Sequence, residues 1–397
     1  MSNVLVVGLG YVGLSTAVHA AESGFSVFGI DTSIEKLKKI KLGESYIEDI
    51  SSERIIKLIN DNRFKVYPDP SELSDVEVIL ICVPTPLSID HLPDLTYFSN
   101  SIKSIASLMK SSTLLIIEST IEPGTSRGLV LEILEQNSNL KKEEMLIAFS
   151  PERIDPGNKE WSLKNTPKIV SGINQKSTKM AVDFFSKFLD NIVEVESLEI
   201  AETAKLLENT FRLINISFIN EISIFCNMLK IDVNKVIDAA RTKPYGFMPF
   251  YPSVGVGGHC IPVDPVYLAN KAKSIGAPVE FINLAIKINR EIPRYIVDRA
   301  QAKLGDLRGK KILVIGVAFK PNISDTRETA VENLIIELRK KFAVVSWHDE
   351  FVKEWNGEKT TKISNTFDMA IVATMHEGID LNELGDTPVI DTRGYLD

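Results

Sequence analysis

The residues best placed to do chemistry lie in one ten-residue stretch, Gly255-Val256-Gly257-Gly258-His259-Cys260-Ile261-Pro262-Val263-Asp264. Three glycines crowd onto a cysteine, and an aspartate follows four residues later. Glycine lets backbone approach a ligand or take positive φ, so a thiol held there is placed rather than packed. Two readings follow. Cys260 is a nucleophile beside a substrate, or it is a small apolar residue in a glycine-rich turn. The stretch by itself supports both.

A second cluster opens the chain. Val4-Leu5-Val6-Val7 is a β-branched, buried type of strand that runs into Gly8-Leu9-Gly10-Tyr11-Val12-Gly13. A helical pattern follows, with Leu14, Ala17, Val18 and Ala21 on one face, and it stops at Gly24. A strand Ser26–Ile30 then ends on Asp31. Strand, G-x-G-x-x-G, helix, strand and acid in this order are the dinucleotide fingerprint. The glycines turn the chain and let pyrophosphate approach, and the free N–H groups of the helix start face that anion. Asp31 would accept from the adenosine ribose hydroxyls, which disfavours a 2′-phosphate and points to NAD.

Net charge is −8 without a basic run, so a nucleic-acid partner is not expected, and bound anions need local Arg, Lys and backbone N–H groups. Three cysteines, Cys82, Cys226 and Cys260, are too few and too scattered for a disulfide framework or a zinc site, and the five histidines show no ligand spacing, so no metal is expected. No secretory pattern follows Met1, and no apolar run is long enough to span a membrane. The expectation is a cytoplasmic protein with no membrane partner, in which Cys260 stays reduced.

These groups need a scaffold. Further buried strands, Val76–Val83, Thr113–Glu118 and Leu146–Phe149, each end in a polar loop. In an open α/β sheet ligands sit beyond the carboxyl ends of strands, which makes Thr85, Ser119 and Thr120 candidate contacts. For Ser119 alone, turn chemistry is the simpler account, and Cys82 reads as core. From Ser197 to about Leu229 there is neither Pro nor Gly, and Ile200, Ala204, Leu207, Phe211, Ile214, Phe218, Ile222 and Phe225 recur at helical spacing. This helix is apolar on more than one stripe, as expected of a connector and a dimer surface. Lys205 and Asn209 share one face of it. A second helical region covers about Val279–Lys303, with Pro293 as a kink or break. From Gly309 a smaller α/β unit begins, with strands Lys311–Ala318, Ala343–Trp347, Met369–Ala373 and Pro388–Asp391 and a helix near Ala330–Lys341. It lacks the full glycine fingerprint but carries Lys320, Arg327 and Arg393, which suit a diphosphate.

The expected fold is α/β: two Rossmann-like doubly wound domains joined by a long central helix in an all-helical dimerisation core. Its parts are residues 1–195, 196–304 and 305–397. An NAD site and a reactive thiol together favour oxidation beyond the alcohol level. The thiol adds to an aldehyde, hydride leaves, and a thioester remains for water.

The chain also resembles the UDP-glucose/UDP-N-acetylhexosamine 6-dehydrogenase family along nearly its whole length. The matching pieces are G-L-G-Y-V-G-L at Gly8–Leu14, S-P-E-R at Ser150–Arg153 and A-E-T-A-K-L-L-E-N-T at Ala201–Thr210. The glycine–cysteine stretch, A-F-K-P-N-I-S-D-T-R at Ala318–Arg327 and D-T-R-G at Asp391–Gly394 complete them. The resemblance implies oxidation of a sugar C6 hydroxyl to a carboxylate with two NAD⁺, in a homodimer with an NAD-binding, a helical and a UDP-binding part. It implies Cys260 as nucleophile. Asp264, Lys205, Thr120 and Asn209 would activate water or stabilise the oxyanion. Glu152, with Arg153 beside it, would act near the sugar. Asp31 and Lys36 would bind the adenosine ribose, and Val83, Thr85, Ser119, Thr120 and Arg327 would lie on the NAD side, with Gly8, Gly10, Tyr11, Val12 and Gly13 at the pyrophosphate. Tyr251, Ser253, Gly255, Gly257, Phe319, Lys320 and Arg393 would meet the UDP-sugar, together with Lys205 and Asn209.

Within this family the UDP-glucose type reads G-G-S-C-F-x-K-D, whereas His259 and Val263 here resemble the N-acetylhexosamine branch. The lead-in Thr242–Pro252 resembles its UDP-N-acetylglucosamine members, with UDP-N-acetylmannosamine or UDP-glucose as alternatives. His259 reads as structural rather than catalytic. Arg241 or Lys243 could supply the basic residue that family members send across the dimer. Two rival readings remain: a β-hydroxyacid dehydrogenase, against which Cys260 and residues 309–397 speak, and a non-catalytic NAD-holding scaffold.

Overall fold

The computed structural model describes residues 2–47, 49–155, 158 and 160–394. They form two compact units, which divide between Leu207 and Glu208.

The first unit is built on an eight-stranded sheet. Its strands are β1 (Asn3–Val7), β2 (Ser26–Ile30), β3 (Phe64–Tyr67), β4 (Val78–Ile81), β5 (Leu114–Ile117), β6 (Leu146–Phe149), β7 (Lys168–Gly172) and β8 (Ile192–Glu194). Their order is β3-β2-β1-β4-β5-β6-β7-β8, with every pair parallel except β6 and β7. Parallel strands buried on both faces need unbroken apolar runs, and Val-Ile-Leu-Ile in β4 and Leu-Leu-Ile-Ile in β5 supply them. Side chains alternate between the faces. Val4, Val6 and Leu80 join one core, while Leu5, Val7, Ile79 and Ile81 join the other. The strand order reverses direction between β1 and β4, which is where doubly wound sheets bind ligands.

A 32-residue helix, Leu198–Leu229, runs unbroken through the unit boundary. In the second unit it is followed by helices Val233–Ala240, Asp264–Ser274 and Glu280–Leu304. The helix Glu280–Leu304 continues through Pro293, so the proline does not break it. The missing N–H costs one rung, and it leaves the carbonyl of Asn289 without its i+4 donor.

The unit ends in a smaller sheet of β9 (Lys311–Ile315) and β10 (Val344–His348), a hairpin of β11 (Glu354–Trp355) and β12 (Glu358–Lys359), then β13 (Met369–Val372) and β14 (Val389–Asp391). The sheet order is β10-β9-β13-β14, all parallel, with helix Ala330–Lys340 between β9 and β10. Each α/β unit thus repeats the doubly wound pattern. Among the described residues, no helix is long and apolar enough to cross a membrane.

Candidate active site

The three fingerprint glycines have three different physical reasons. Gly8 turns at φ +91°, and a Cβ there would lie 2.8 Å from the Cys82 carbonyl oxygen. At Gly13 a Cβ would fall 1.8 Å from the Gly8 carbonyl oxygen, so helix and turn can close only on glycine. A Cβ on Gly10 would have nothing within 4 Å, so the backbone there is open to an approaching ligand. The helix Tyr11–Glu22 starts there without a side-chain cap or an acidic residue in its first turn, so its N–H groups can serve an anion. The Tyr11 hydroxyl is buried with no partner among the described residues.

Asp31 closes the site. One carboxylate oxygen accepts from the Leu9 N–H at 2.9 Å and the other from the Ser33 N–H at 2.8 Å. Lys36 reaches the carboxylate at 3.3 Å. Val83 packs against the turn at Gly8. The Ser119 hydroxyl donates to the Val83 carbonyl at 2.7 Å, so the turn-forming account of Ser119 holds for its side chain. Thr85 and Thr120 lie half-buried in the loops after β4 and β5. Glu202 of the long helix steadies the second loop by accepting from the Gly124 and Ser126 N–H groups at 2.5 and 3.0 Å. These residues fit a dinucleotide.

Next to the turn lies a charge cluster that spacing did not disclose. Lys168, at the start of β7, donates to Glu118 at 2.6 Å and to Glu152 at 2.7 Å. All three are buried. The Cys82 thiol and the Thr16 hydroxyl also donate to Glu118, at 3.2 and 3.3 Å. Burial pushes Glu118 up despite Lys168. Glu152 is held down instead: burial acts to raise it, but the Lys168 charge and the N–H groups of Arg153 and Ile154 outweigh that. Burial, with Glu118 beside it, also raises the Cys82 thiol well above its ordinary value, the direction of a structural rather than a reactive thiol.

The Glu152 carboxylate therefore faces Lys168 and its own loop. Its backbone carbonyl accepts from Lys205 Nζ at 2.7 Å, so the structure joins Lys205 to the S-P-E-R segment. Arg153 turns a guanidinium N–H to the Pro167 carbonyl at 2.7 Å. A sequence cue for the cluster did exist: Glu118 and Lys168 are ionisable residues at the ends of otherwise apolar strands.

In the second unit, Cys260 sits one turn before helix Asp264–Ser274, and its carbonyl accepts from the Val263 and Asp264 N–H groups at 3.2 and 2.8 Å. Asp264 is buried in the first helical turn, where the helix dipole favours an acid, and it accepts from Asn209 Nδ2 at 2.5 Å. The glycines before the thiol are sterically required. A Cβ on Gly257 would meet Phe319 Cβ at 2.7 Å, and Gly258, at φ +79°, packs on the same ring. The Gly258 N–H donates to the Arg327 carbonyl at 3.0 Å.

The Arg327 guanidinium is bonded to Asp325, which raises it, with a smaller contribution from Cys260. Burial acts to raise Asp325, but Arg327 outweighs it and lowers that carboxyl, with the exposed His259 adding a little. Arg393 pairs with Asp391 and gives its carbonyl to Asn234 Nδ2 at 3.3 Å. Gly394 packs on Val233 and Pro252, and that proline lies between the exposed Tyr251 and the half-buried Ser253 in the chain. Of the two candidate cross-dimer cations, Arg241 approaches the Tyr251 hydroxyl at 3.4 Å, and Lys243 lies over the Tyr245 ring. Lys320 lies half-buried in the loop after β9. No cluster of metal-ligating side chains occurs among the described residues.

An open glycine turn with an acid after the second strand, on a doubly wound sheet, defines the class: a dinucleotide-binding protein. The chain belongs to the UDP-glucose/GDP-mannose dehydrogenase family, whose NAD-binding, central and UDP-binding domain models match residues 2–189, 199–291 and 313–397. It is an NAD-dependent nucleotide-sugar dehydrogenase. Among curated relatives it is 32% identical to a UDP-N-acetyl-D-mannosamine dehydrogenase of Pyrococcus horikoshii, covering 94% of this chain and 89% of that protein. It is 30% identical to a UDP-N-acetyl-D-glucosamine 6-dehydrogenase of Salmonella typhi, covering 99% and 93%. The solved UDP-D-ManNAc dehydrogenase of Pyrococcus horikoshii superposes with a TM-score of 0.91 at 31% identity, covering 100% of this chain and 96% of that one.

Proposed function

We propose that the protein oxidises the C6 hydroxyl of a UDP-N-acetylhexosamine, UDP-N-acetylglucosamine first, to the uronic acid through a covalent intermediate on Cys260. The observation that carries this reading is the glycine-borne thiol one turn ahead of a buried Asp264 that Asn209 anchors. Bound at the glycine turn with Asp31 and Lys36, NAD⁺ would supply the hydride acceptor for C6, one NAD⁺ for each of the two oxidations. Lys205 and Thr120 stabilise the oxygen as the alcohol loses its proton and hydride to become the aldehyde. The Cys260 sulfur then bonds to C6 and its proton passes to O6. Loss of a second hydride and of that proton leaves a thioester. Water held by Asp264 and Lys205 adds to C6, the C–S bond breaks, and the carboxylate and thiol separate. Glu152, turned toward Lys168, acts through the loop it anchors and the carbonyl it gives to Lys205.

Asp31 and Lys36 support NAD as the dinucleotide. Tyr251, Ser253, Gly255, Gly257, Phe319, Lys320 and Arg393 are the residues proposed to hold the UDP-sugar. The proposed functional division stays at residues 1–195, 196–304 and 305–397, in a cytoplasmic homodimer formed by the central helices. Leu207, Phe211, Phe218 and Phe225, large apolar side chains exposed along one helix, support the dimer.

The test is NADH formation with UDP-GlcNAc, UDP-ManNAc, UDP-GalNAc and UDP-glucose. Two NADH per sugar with UDP-GlcNAc preferred is expected. Preference for UDP-ManNAc would move the substrate, and no NADH from any of the four would overturn the reading. In the same assay Cys260→Ala is expected to lower turnover about 10³-fold or more.

A further inference from the structure

The segment that carries the thiol is held from both sides by two asparagines outside the motifs. Asn220, 1% exposed on helix Leu198–Leu229, accepts the Ser253 N–H on Oδ1 at 2.9 Å. Asn289, on helix Glu280–Leu304, accepts the Val256 N–H on Oδ1 at 2.8 Å. Between them Gly255 stands at φ +129°. A Cβ there would come within 3.2 Å of Asn289 Oδ1 and 3.0 Å of Ala330 Cβ. Its N–H donates to the Ser253 hydroxyl at 3.2 Å. Four residues after Asn289 comes Pro293, so the carbonyl of Asn289 lacks its i+4 donor, and that carbonyl lies 3.5 Å from where the Gly255 Cβ would be. With the Gly258 N–H on the Arg327 carbonyl, the backbone N–H groups of residues 253, 255, 256 and 258 all have fixed acceptors.

We propose that Asn220 and Asn289 are positioning residues that set the height and direction of loop 253–258, and through it the place of Cys260. The inference rests on the reading of Cys260 as the nucleophile. An amide oxygen suits the task. It accepts a backbone N–H away from bulk water, where a leucine of similar size would offer no acceptor and an aspartate would keep one. The Asn220 Nδ2 is buried without a partner among the described residues, a cost that the acceptor function of its oxygen accounts for.

The experiment compares Asn289→Leu and Asn289→Asp, with Asn220→Leu and Asn220→Asp as the second pair, in the full-length protein. Turnover of UDP-GlcNAc is read by NADH. Separately, the rate at which iodoacetamide alkylates Cys260 is followed by mass spectrometry of its peptide. Both leucine variants are expected to lower kcat about 100-fold, as a thiol displaced by an ångström would, with KM for NAD⁺ unchanged. They are expected to slow Cys260 alkylation about tenfold, and the aspartate variants are expected to recover most of both. Should a leucine variant not fold, glutamine at that position, which shifts the amide by one methylene, is scored in its place. Wild-type kcat and alkylation in a folded leucine variant overturn the proposal, as does equal loss in the leucine and aspartate variants. If no nucleotide sugar yields NADH, the proposed reaction fails, and the alkylation rates still decide the clamp.

Discussion

At the scale of single residues, the decisive groups are those removed from water. Lys168 carries its charge between Glu118 and Glu152 with almost no exposure. A buried pair of this kind gives little net stability, but removing one partner strands the other. Lys168→Met is therefore expected to destabilise the protein by about 3–5 kcal/mol in urea unfolding, and Lys168→Arg by much less. Asp349, just after β10, is a second example. It accepts N–H groups from Val317, Ala318, Phe351 and Val352, and His376 Nε2 lies 2.9 Å away. Burial acts to raise this carboxyl, but His376 and the backbone N–H groups bring it down to about 2 from an ordinary 3.8. A depressed carboxyl stabilises the fold above its unfolded value and loses that contribution as pH falls through its folded value. Asp349→Asn is thus expected to cost on the order of 1–2 kcal/mol at pH 7, and the difference from wild type is expected to vanish between about pH 4 and pH 2 in denaturant titrations.

At the scale of elements, the glycine turn and the helix it opens make one device. Gly13 exists for packing and Gly10 for access. Gly13→Ala would drive a methyl into the Gly8 carbonyl, so it is expected to lower stability by about 3 kcal/mol or more and to abolish NAD binding with it. Gly10→Ala has room in the free protein. Its melting temperature is expected to stay near wild type while NAD⁺ affinity falls at least tenfold in a fluorescence titration, because the methyl occupies the ligand's approach. The smaller sheet repeats the layout with Asp349 in the position of Asp31, each acid accepting an N–H from the loop after the first strand. There the acid is taken up by His376 and by the N–H groups of Phe351 and Val352 in its own loop.

At the scale of the whole molecule, a 32-residue helix keeps large apolar side chains in water along one stripe. Leu207, Phe211, Phe218 and Phe225 recur at four- and seven-residue steps, the pattern of a helix that packs against another. Phe218→Glu is expected to halve the mass measured by sedimentation equilibrium at micromolar concentration while leaving the circular dichroism spectrum unchanged. A wild-type protein that sediments as a monomer would remove the dimer.

The sequence alone determined what depends on neighbours along the chain. The strand–glycine–helix–strand–acid order placed Gly8, Gly10, Gly13 and Asp31 correctly because a tight turn and its following helix are fixed by local sterics. Apolar periodicity found the helix from Leu198 because packing repeats every turn. The bounds of β6 were legible because a strand buried on both faces needs an uninterrupted apolar run, and those of β2 because Gly24 ends the preceding helix and Asp31 ends the strand. What only the tertiary structure decided are the contacts between distant residues. Lys168 meets Glu118 across 50 positions, and Asn289 meets Val256 across 33. A lysine heading an apolar strand and an asparagine four residues before a proline have ordinary local propensities. Their meaning comes from the low dielectric around the first and from the Val256 N–H that the second accepts, and the fold creates both.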